Sequence, residues 1–216
     1  MITRKTYINR ILVITVINTL LLLLYSFKMN YIIYKGDWII KGSKVTYENP
    51  WIKIKHHDVL TPGGSAGIYG EVHFKNLAIG ILPIDRNGFT WRVGQFRFPL
   101  NAYSWEIPEG GGPHDTDPLK SAKRELLEEV GYTAKNWTQL LEMHLSNSVS
   151  DEKAIVFLAE DLTEGVSQPE DTENLTVEKI HFSELYQQVM DGIITDSISV
   201  AAVLKLSILR PRLLKM

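Results

Sequence analysis

The chain has 216 residues, of which 44% are apolar, 22% charged and 10% aromatic, and its formal net charge is −2. This balance excludes a long disordered chain, a collagen and a strongly basic nucleic-acid binder, so no nucleic-acid partner is expected. No cysteine is present, which excludes disulfides, thiolate zinc sites and cysteine nucleophiles. The net charge averages two unlike segments. Residues 1–35 carry five basic residues (Arg4, Lys5, Arg10, Lys28, Lys35) and no acidic one, whereas the remainder carries 18 basic and 25 acidic residues. The expected organisation is a hydrophobic N-terminal segment over residues 1–35 and one main domain over residues 36–216.

Within the first segment, Ile11 to Phe27 has no charged residue. As a helix it would rise about 26 Å, slightly less than a ~30 Å hydrocarbon core. Arg4, Lys5 and Arg10 precede it and no small-residue cleavage site follows, a pattern that favours an uncleaved membrane anchor over a secretory signal. The positive-inside rule then leaves the N-terminus cytoplasmic, although Lys28, Lys35, Lys41 and Lys44 weaken the bias. Competing readings are a buried or interfacial helix, insertion the other way round, and a cytoplasmic protein whose true start is near Met29.

From Trp38 the texture changes to short strands and turns. Trp38–Tyr47 is strand-like but broken by Gly42, and Trp51-Ile-Lys-Ile-Lys alternates apolar and polar residues. His56 and His57 read as surface residues. Thr61-Pro-Gly-Gly-Ser is turn chemistry. Strands are predicted over Tyr69–Phe74, Leu77–Ile84 and Thr90–Arg97, with Asp85-Arg-Asn-Gly as the hairpin turn before the last. A helix is predicted from Pro118 to Val130, closed by Gly131 as a left-handed cap. Strands follow near Trp137–His144, Ala154–Ala159 and Leu175–His181. Ser183 and Asp196 are predicted N-caps of two final helices, ending near Gly192 and Leu209. Strands dominate early, helices come late, and the two do not alternate regularly. That pattern favours a mixed-sheet α/β sandwich over a parallel doubly wound fold.

The chemistry concentrates in Gly110 to Tyr132. On a helix, Glu125, Glu128 and Glu129 stand at i, i+3 and i+4 and share one face. Three like charges there are unfavourable unless a cation sits among them, and Mg²⁺ takes carboxylate oxygens and bridges to substrate phosphates. Arg124 can hold a carboxylate bidentately. The stretch resembles the Nudix box, G-x5-E-x7-R-E-U-x-E-E-x-G-U, with Gly110, Arg124, Glu125, Leu126, Glu128, Glu129 and Gly131 in register. Thr116 stands where the box has its first Glu. Asp115 and Asp117 are the nearest substitutes.

The resemblance implies an α/β/α sandwich with a mixed sheet, an α+β fold in the broad sense, and hydrolysis of nucleoside diphosphates linked to another group, with Mg²⁺ or Mn²⁺. It places metal ligation on Glu128, Glu129 and Glu125 and on the Gly110 carbonyl, with Glu125 also a candidate to activate water. Outside the box, Gln95-Phe-Arg97-Phe-Pro99 and Trp105-Glu106-Ile-Pro-Glu109-Gly are similar to the pattern R-Q-Y-R-x-P…E-x-P-A-G of ADP-ribose pyrophosphatases. Gln95 and Arg97 would then contact substrate and Glu106 would bind metal, while Glu109 replaces the pattern's Ala. The resemblance also points to a late catalytic carboxylate in the acidic loop 170–174, with Glu173 first and Glu170 behind it.

The implied reaction is hydrolysis of ADP-ribose to AMP and ribose 5-phosphate. The alternatives are another nucleotide sugar or nucleotide as substrate, or a nucleotide-binding module with little turnover, prompted by Thr116. Trp91 and Trp105 are candidates to stack on a base, and His144 and Ser146–Ser148 to line the pocket. The relatives implied by the resemblance are commonly homodimers.

Overall fold

The computed structural model describes residues 33–165 and 175–215. Its first four strands, β1 (Ile33–Lys35), β2 (Trp38–Glu48), β3 (Ile52–Leu60) and β4 (Ala66–Phe74), form a sheet in that order. The β2–β3 corner is built by Asn49, whose side-chain oxygen accepts from the N–H groups of Trp51 at 2.9 Å and Ile52 at 2.7 Å. This is the local self-bonding that makes Asn a turn residue. His57, expected at the surface, is only 6% exposed. On β3 it alternates inward with Val59, as the two-residue period of a strand requires. The chain divides into two compact units: one holds the described residues 33–44 and 56–70, the other the described residues 45–55 and from 71 onward. The functional candidates discussed below all lie in the second unit.

That second unit is organised around a mixed sheet of β5 (Asn76–Ile84), β8 (Glu109–Pro113), β9 (Tyr132–His144) and β10 (Lys153–Glu164), in the order β8-β5-β10-β9. Strand β10 runs parallel to β5, and the other pairings are antiparallel. A smaller antiparallel sheet joins β6 (Phe89–Arg97), β7 (Ala102–Glu106) and β11 (Thr176–His181), in the order β11-β6-β7. Among its described residues the unit also has three α-helices: α1 (Pro118–Glu125), α2 (Phe182–Met190) and α3 (Ser197–Leu209).

The central strands are apolar on both faces, as sheets covered on both sides require. Ile79 and Ile81 of β5, with Ile155, Phe157 and Ala159 of β10, pack with Ala122 and Leu126 and with Trp91 of β6. Leu82, Ile84, Val156 and Leu158 turn the other way, onto Phe182 and Leu185 of α2 and Ile198, Val203 and Leu206 of α3. The period of two therefore sorts one sheet into two cores, and the result is the expected mixed α+β sandwich.

The expected strands lie within the observed ones to within a residue, but β1, β7, β8 and the first half of β9 escaped prediction. The Asp85 turn forms as predicted: its carboxylate accepts from the N–H groups of Asn87 and Phe89, both at 2.9 Å. Asp196 caps α3 by accepting from Ser199 N–H at 2.7 Å. Ser183, by contrast, is already inside α2. The cap is His181, whose Nδ1 accepts from Ser183 N–H at 3.3 Å. Among the described residues no helix is long and apolar enough to cross a membrane. The hydrophobic segment 11–27, read as a membrane-spanning helix, lies outside the described residues.

Candidate active site

Strand β8 sits between the predicted box and a cleft. Its glycine-rich sequence pairs with β5 in a register that sets Ile79 opposite Gly110 and Gly80 opposite Glu109. Gly112 is followed by the turn that delivers Asp117, whose carboxylate accepts from Leu119 N–H at 3.0 Å and starts α1, with Pro118 in its first turn. The predicted helix does end at Gly131, which is left-handed at φ 77°, but its last turn, Leu126–Val130, is π-helical rather than α-helical. Single π turns are rare and recur at functional sites. The wider turn separates the three carboxylates that an ideal α-helix would align.

Glu125 and Glu129 are buried and face β8, whereas Glu128 keeps 28% of its side-chain exposure. Glu129 Oε2 accepts from the Glu109 N–H at 3.2 Å. Glu125 lies so close to Gly110 that a Cβ there would overlap its carboxylate, 2.6 Å from even the farther oxygen. Arg124 bridges the group: it donates to Glu128 at 2.6 Å, to Glu125 at 2.5 Å and to the Gly111 carbonyl at 3.0 Å. Asp117, one of the two nearest acidic residues to position 116, uses one carboxylate oxygen to cap α1. Thr116 itself closes the turn, donating its N–H to the Pro113 carbonyl at 3.0 Å.

On the other side of β8 lies a cleft of about 650 Å³, bordered by Gln95, Arg97, Glu106, Glu109, Trp51 and Asp196, among others. Strands β6 and β7 pair with Gln95 opposite Ser104 and Arg97 opposite Ala102. Residues two apart on paired strands share a face, so Gln95, Arg97 and Glu106 arrive together. The Arg97 guanidinium grips Glu106, with Nε 2.9 Å and 3.2 Å from the two carboxylate oxygens and Nη2 in contact as well, and it reaches Glu109 Oε1 at 2.9 Å. Burial pushes the Glu106 carboxyl up, but the Arg97 bonds outweigh it and leave Glu106 below the usual carboxylate range. Glu109 goes the other way. Burial, then the charges of Asp196 and Glu106, raise it well above the usual value. Glu152, also in the cleft, is raised by burial and by Asp151 and Asp196.

Most of the site residues named from sequence are thus brought to one strand. Gln95, Arg97, Glu106 and Gly110 line the cleft, and Glu125, Glu128 and Glu129 stand behind it, two of them directly against β8. Arg97 is the one whose setting differs from expectation: it holds Glu106, the predicted metal ligand, instead of standing open to a ligand. Glu173 and Glu170 lie outside the described residues. Trp91 is 5% exposed and packs on Tyr132, and Trp105 lies under the Arg92 guanidinium at 3.9 Å, so neither borders the cleft. Trp51, read from the sequence only as the first residue of a strand, does border it and is 66% exposed. Leu145 and Glu152 line it in place of His144 and Ser146–Ser148. Only long-range folding brings Trp51, Glu152 and Asp196 there, so no local motif marks them.

The donors are hard oxygens with a close backbone approach at Gly110, which suits a divalent cation such as Mg²⁺. As they stand they are drawn to Arg97, Arg124 and the Glu109 N–H, and no three acidic or imidazole side chains converge into a ready cage among the described residues. A cleft of this volume, with convergent polar groups and shifted carboxylates, has the character of a small-molecule enzyme site.

A carboxylate-rich helix behind a glycine strand, on a mixed α+β sandwich, sets hard oxygen donors beside a small-molecule cleft. The chain matches the NUDIX domain over residues 75–195 and the nucleoside diphosphate sugar hydrolase N-terminal domain over residues 38–72. It belongs to the Nudix family and is a Nudix hydrolase. It is 34% identical over 178 residues to the ADP-ribose pyrophosphatase of Mycobacterium tuberculosis (strain H37Rv), covering 78% of this chain and 82% of that protein. It is 39% identical over 106 residues to the ADP-ribose pyrophosphatase of Bacillus subtilis (strain 168), covering 49% of this chain and 57% of that one. A solved structure titled as an ADP compounds hydrolase shares the fold, with a TM-score of 0.73 and 17% identity over 83% of this chain and 97% of that chain.

Proposed function

We propose that this Nudix hydrolase cleaves the diphosphate of ADP-ribose to AMP and ribose 5-phosphate with Mg²⁺ or Mn²⁺. The observation that carries the reading is β8, one face of which borders the Arg97 cleft while Glu125 and Glu129 press on it from behind. Glu125, Glu128, Glu129, Glu106 and the Gly110 carbonyl would hold the cation. When bound, such an ion polarises the diphosphate and acidifies a bound water. The Arg97 fork suits phosphate oxygens, to which planar guanidinium groups bond bidentately. The Trp51 ring offers a face to the base, and Gln95 a hydrogen bond to the bound nucleotide. Glu125 and Glu173 are the candidates to take the proton from the attacking water. Because phosphoryl transfer needs mainly positioning and charge neutralisation, few further groups are required.

The test is product analysis with ADP-ribose and Mg²⁺ on the full chain, beside a panel of other nucleotide sugars and nucleotides. Glu128→Gln should lose far more rate than Glu173→Gln. Equal turnover by Glu128→Gln and the parent overturns the mechanism. A second reading, nucleotide binding with little turnover, is favoured by Thr116 and by the Arg124 bonds to Glu125 and Glu128. Calorimetry showing binding without hydrolysis would select it. The same proposal includes a membrane tether through residues 11–27 and a homodimer, to be tested by fractionation and by light scattering.

A further inference from the structure

Two residues of the cleft wall, Leu145 and Glu152, stand at the ends of the connector between β9 and β10. The Leu145 N–H donates to the Glu152 carbonyl at 3.1 Å. Between them the chain turns tightly, with the Ser146 carbonyl accepting from the N–H groups of Val149 at 3.0 Å and Ser150 at 2.9 Å. This turn is fastened to the end of β4. Val72 N–H donates to the Val149 carbonyl at 2.8 Å, and Asp151 N–H donates to the Val72 carbonyl at 3.2 Å. The Asp151 carboxylate adds two bonds to the same strand end: Oδ2 accepts from His73 Nδ1 at 2.5 Å and Oδ1 from the Phe74 N–H at 2.9 Å. Burial pushes this carboxyl up, but the His73 and Phe74 bonds outweigh it and hold it below the usual range. Phe74 is in turn a junction. It borders the cleft, and its carbonyl accepts from His114 Nε2 at 3.0 Å. The next residue, Lys75, donates its N–H to the Trp51 carbonyl at 2.9 Å. One carboxylate thus couples the connector that carries Glu152 to the strand end that holds Trp51.

We propose that Asp151, braced by His73, is a positioning residue for substrate binding, fixing the part of the cleft wall made by Trp51, Phe74, Leu145 and Glu152. The proposal rests on the functional reading above, in which Trp51 meets the base of the nucleotide. Asp151 acts through the backbone of Phe74 and Lys75 on one side and through its own neighbour Glu152 on the other. Without its carboxylate the Phe74 N–H loses an acceptor, and the connector keeps its two backbone bonds to Val72. The brace holds in either charge state of His73, because Nδ1 carries a hydrogen in one neutral tautomer as well as in the imidazolium. The wall sets where the nucleotide rests, whereas Glu125 and Glu129 press on β8 from behind. Loss of the brace therefore falls on KM and leaves kcat nearly unchanged.

The test is steady-state kinetics with ADP-ribose and Mg²⁺ on the full chain, beside calorimetry of ADP-ribose binding without added metal. Asp151→Ala should raise both KM and Kd about tenfold, the scale of one bond to a charged group, and leave kcat within about twofold of the parent. His73→Ala should do the same, whereas His73→Asn, whose amide nitrogen takes the place of Nδ1, should restore a parent-like KM. Trp51→Ala combined with Asp151→Ala should raise KM by less than the product of the single effects, since residues that act through one another are not additive. Parent-like KM and Kd in a folded Asp151→Ala overturn the proposal. So does a loss confined to kcat, or one that multiplies fully with Trp51→Ala. Equal loss in His73→Asn and His73→Ala overturns the brace. Should Asp151→Ala not fold by circular dichroism, the two His73 variants carry the same comparison. A parent that binds ADP-ribose without cleaving it, with Kd weakened about tenfold in Asp151→Ala, overturns the hydrolytic reading and supports the positioning role. A parent that neither binds nor cleaves it overturns both.

Discussion

The carboxylate of Glu125 fills the space beside Gly110 that any side chain at position 110 would need. That contact joins the box helix to the strand bordering the cleft, and it explains a glycine that no turn requires. Gly110→Ala must push Glu125 or the strand aside. Overpacking of this kind costs about 1–3 kcal/mol, and an ångström of displacement at a reacting centre can cost about 100-fold in rate. The expected outcome is a kcat/KM for ADP-ribose about two orders of magnitude below the parent, with modestly lower urea stability. Unchanged kinetics in a folded Gly110→Ala would remove Glu125 from the site.

The tryptophans should separate cleanly. Trp51 is exposed at the cleft, so Trp51→Ala should leave thermal stability near the parent value. Base–aromatic stacking contributes roughly 1–3 kcal/mol, which predicts a KM for ADP-ribose raised by about 5- to 150-fold with little change in kcat. Trp91 is buried against Tyr132 and the α1 core. Trp91→Ala should cost about 3–5 kcal/mol of stability, as aromatic truncations in cores do. Steady-state kinetics and chemical denaturation on both variants check the contrast.

Acid stability should depend on Asp85. Burial raises this carboxyl, but Lys179 at 2.8 Å and the N–H groups of Phe89 and Asn87 outweigh it and hold it below its ordinary 3.8. A depressed carboxyl contributes stability that is fully present above its unfolded pKa and is lost as pH falls through the folded value. Asp85→Ala should therefore be less stable by about 1–3 kcal/mol at pH 6. Below pH 3.8 the gap between the two proteins should shrink. Urea midpoints measured between pH 6 and pH 2.5 test this, and a gap constant with pH would contradict it.

Arg92 ties three elements together. Its guanidinium donates to Glu178 of β11 at 2.5 Å and 3.1 Å and to Gln188 of α2 at 2.7 Å, and it stacks over Trp105. Lysine keeps the charge but has neither the fork nor the flat face. Arg92→Lys should lose about 1–2 kcal/mol of stability, the scale of one or two bonds to charged groups, with kcat/KM nearly unchanged. Denaturation at pH 7 beside ADP-ribose kinetics will show whether the two effects separate.

Much of the site was legible because its signals are local. The spacing of Arg124, Glu125, Glu128, Glu129 and Gly131 is a property of one helix and its cap, and Gln95-Phe-Arg97 of one strand. The Asp85 turn and the Asp196 cap follow from side chains bonding their own neighbouring backbone, and the end at Gly131 from its left-handed backbone. Strands β7 and β8 were not legible, since a run such as Glu-Gly-Gly-Gly-Pro has no apolar alternation. It is held in the sheet by its pairing with β5 and fastened to the box helix through Glu129 and Arg124.

Taken alone, the sequence determined the class of fold through its pattern of strands and helices, and the box through fixed spacings within one element; the chemistry followed from the resemblance those spacings carry. Tertiary structure decided which of the candidates meet. It turned Trp91 into core and Trp51 into a cleft residue, set Arg97 on Glu106 and Glu109, and spent Asp117 on a helix cap. It also widened the last helical turn, so that Glu125 and Glu129 reach β8 while Glu128 stays with Arg124. These outcomes depend on strand register and on competition among carboxylates for two arginines, and neither is encoded by spacing along the chain.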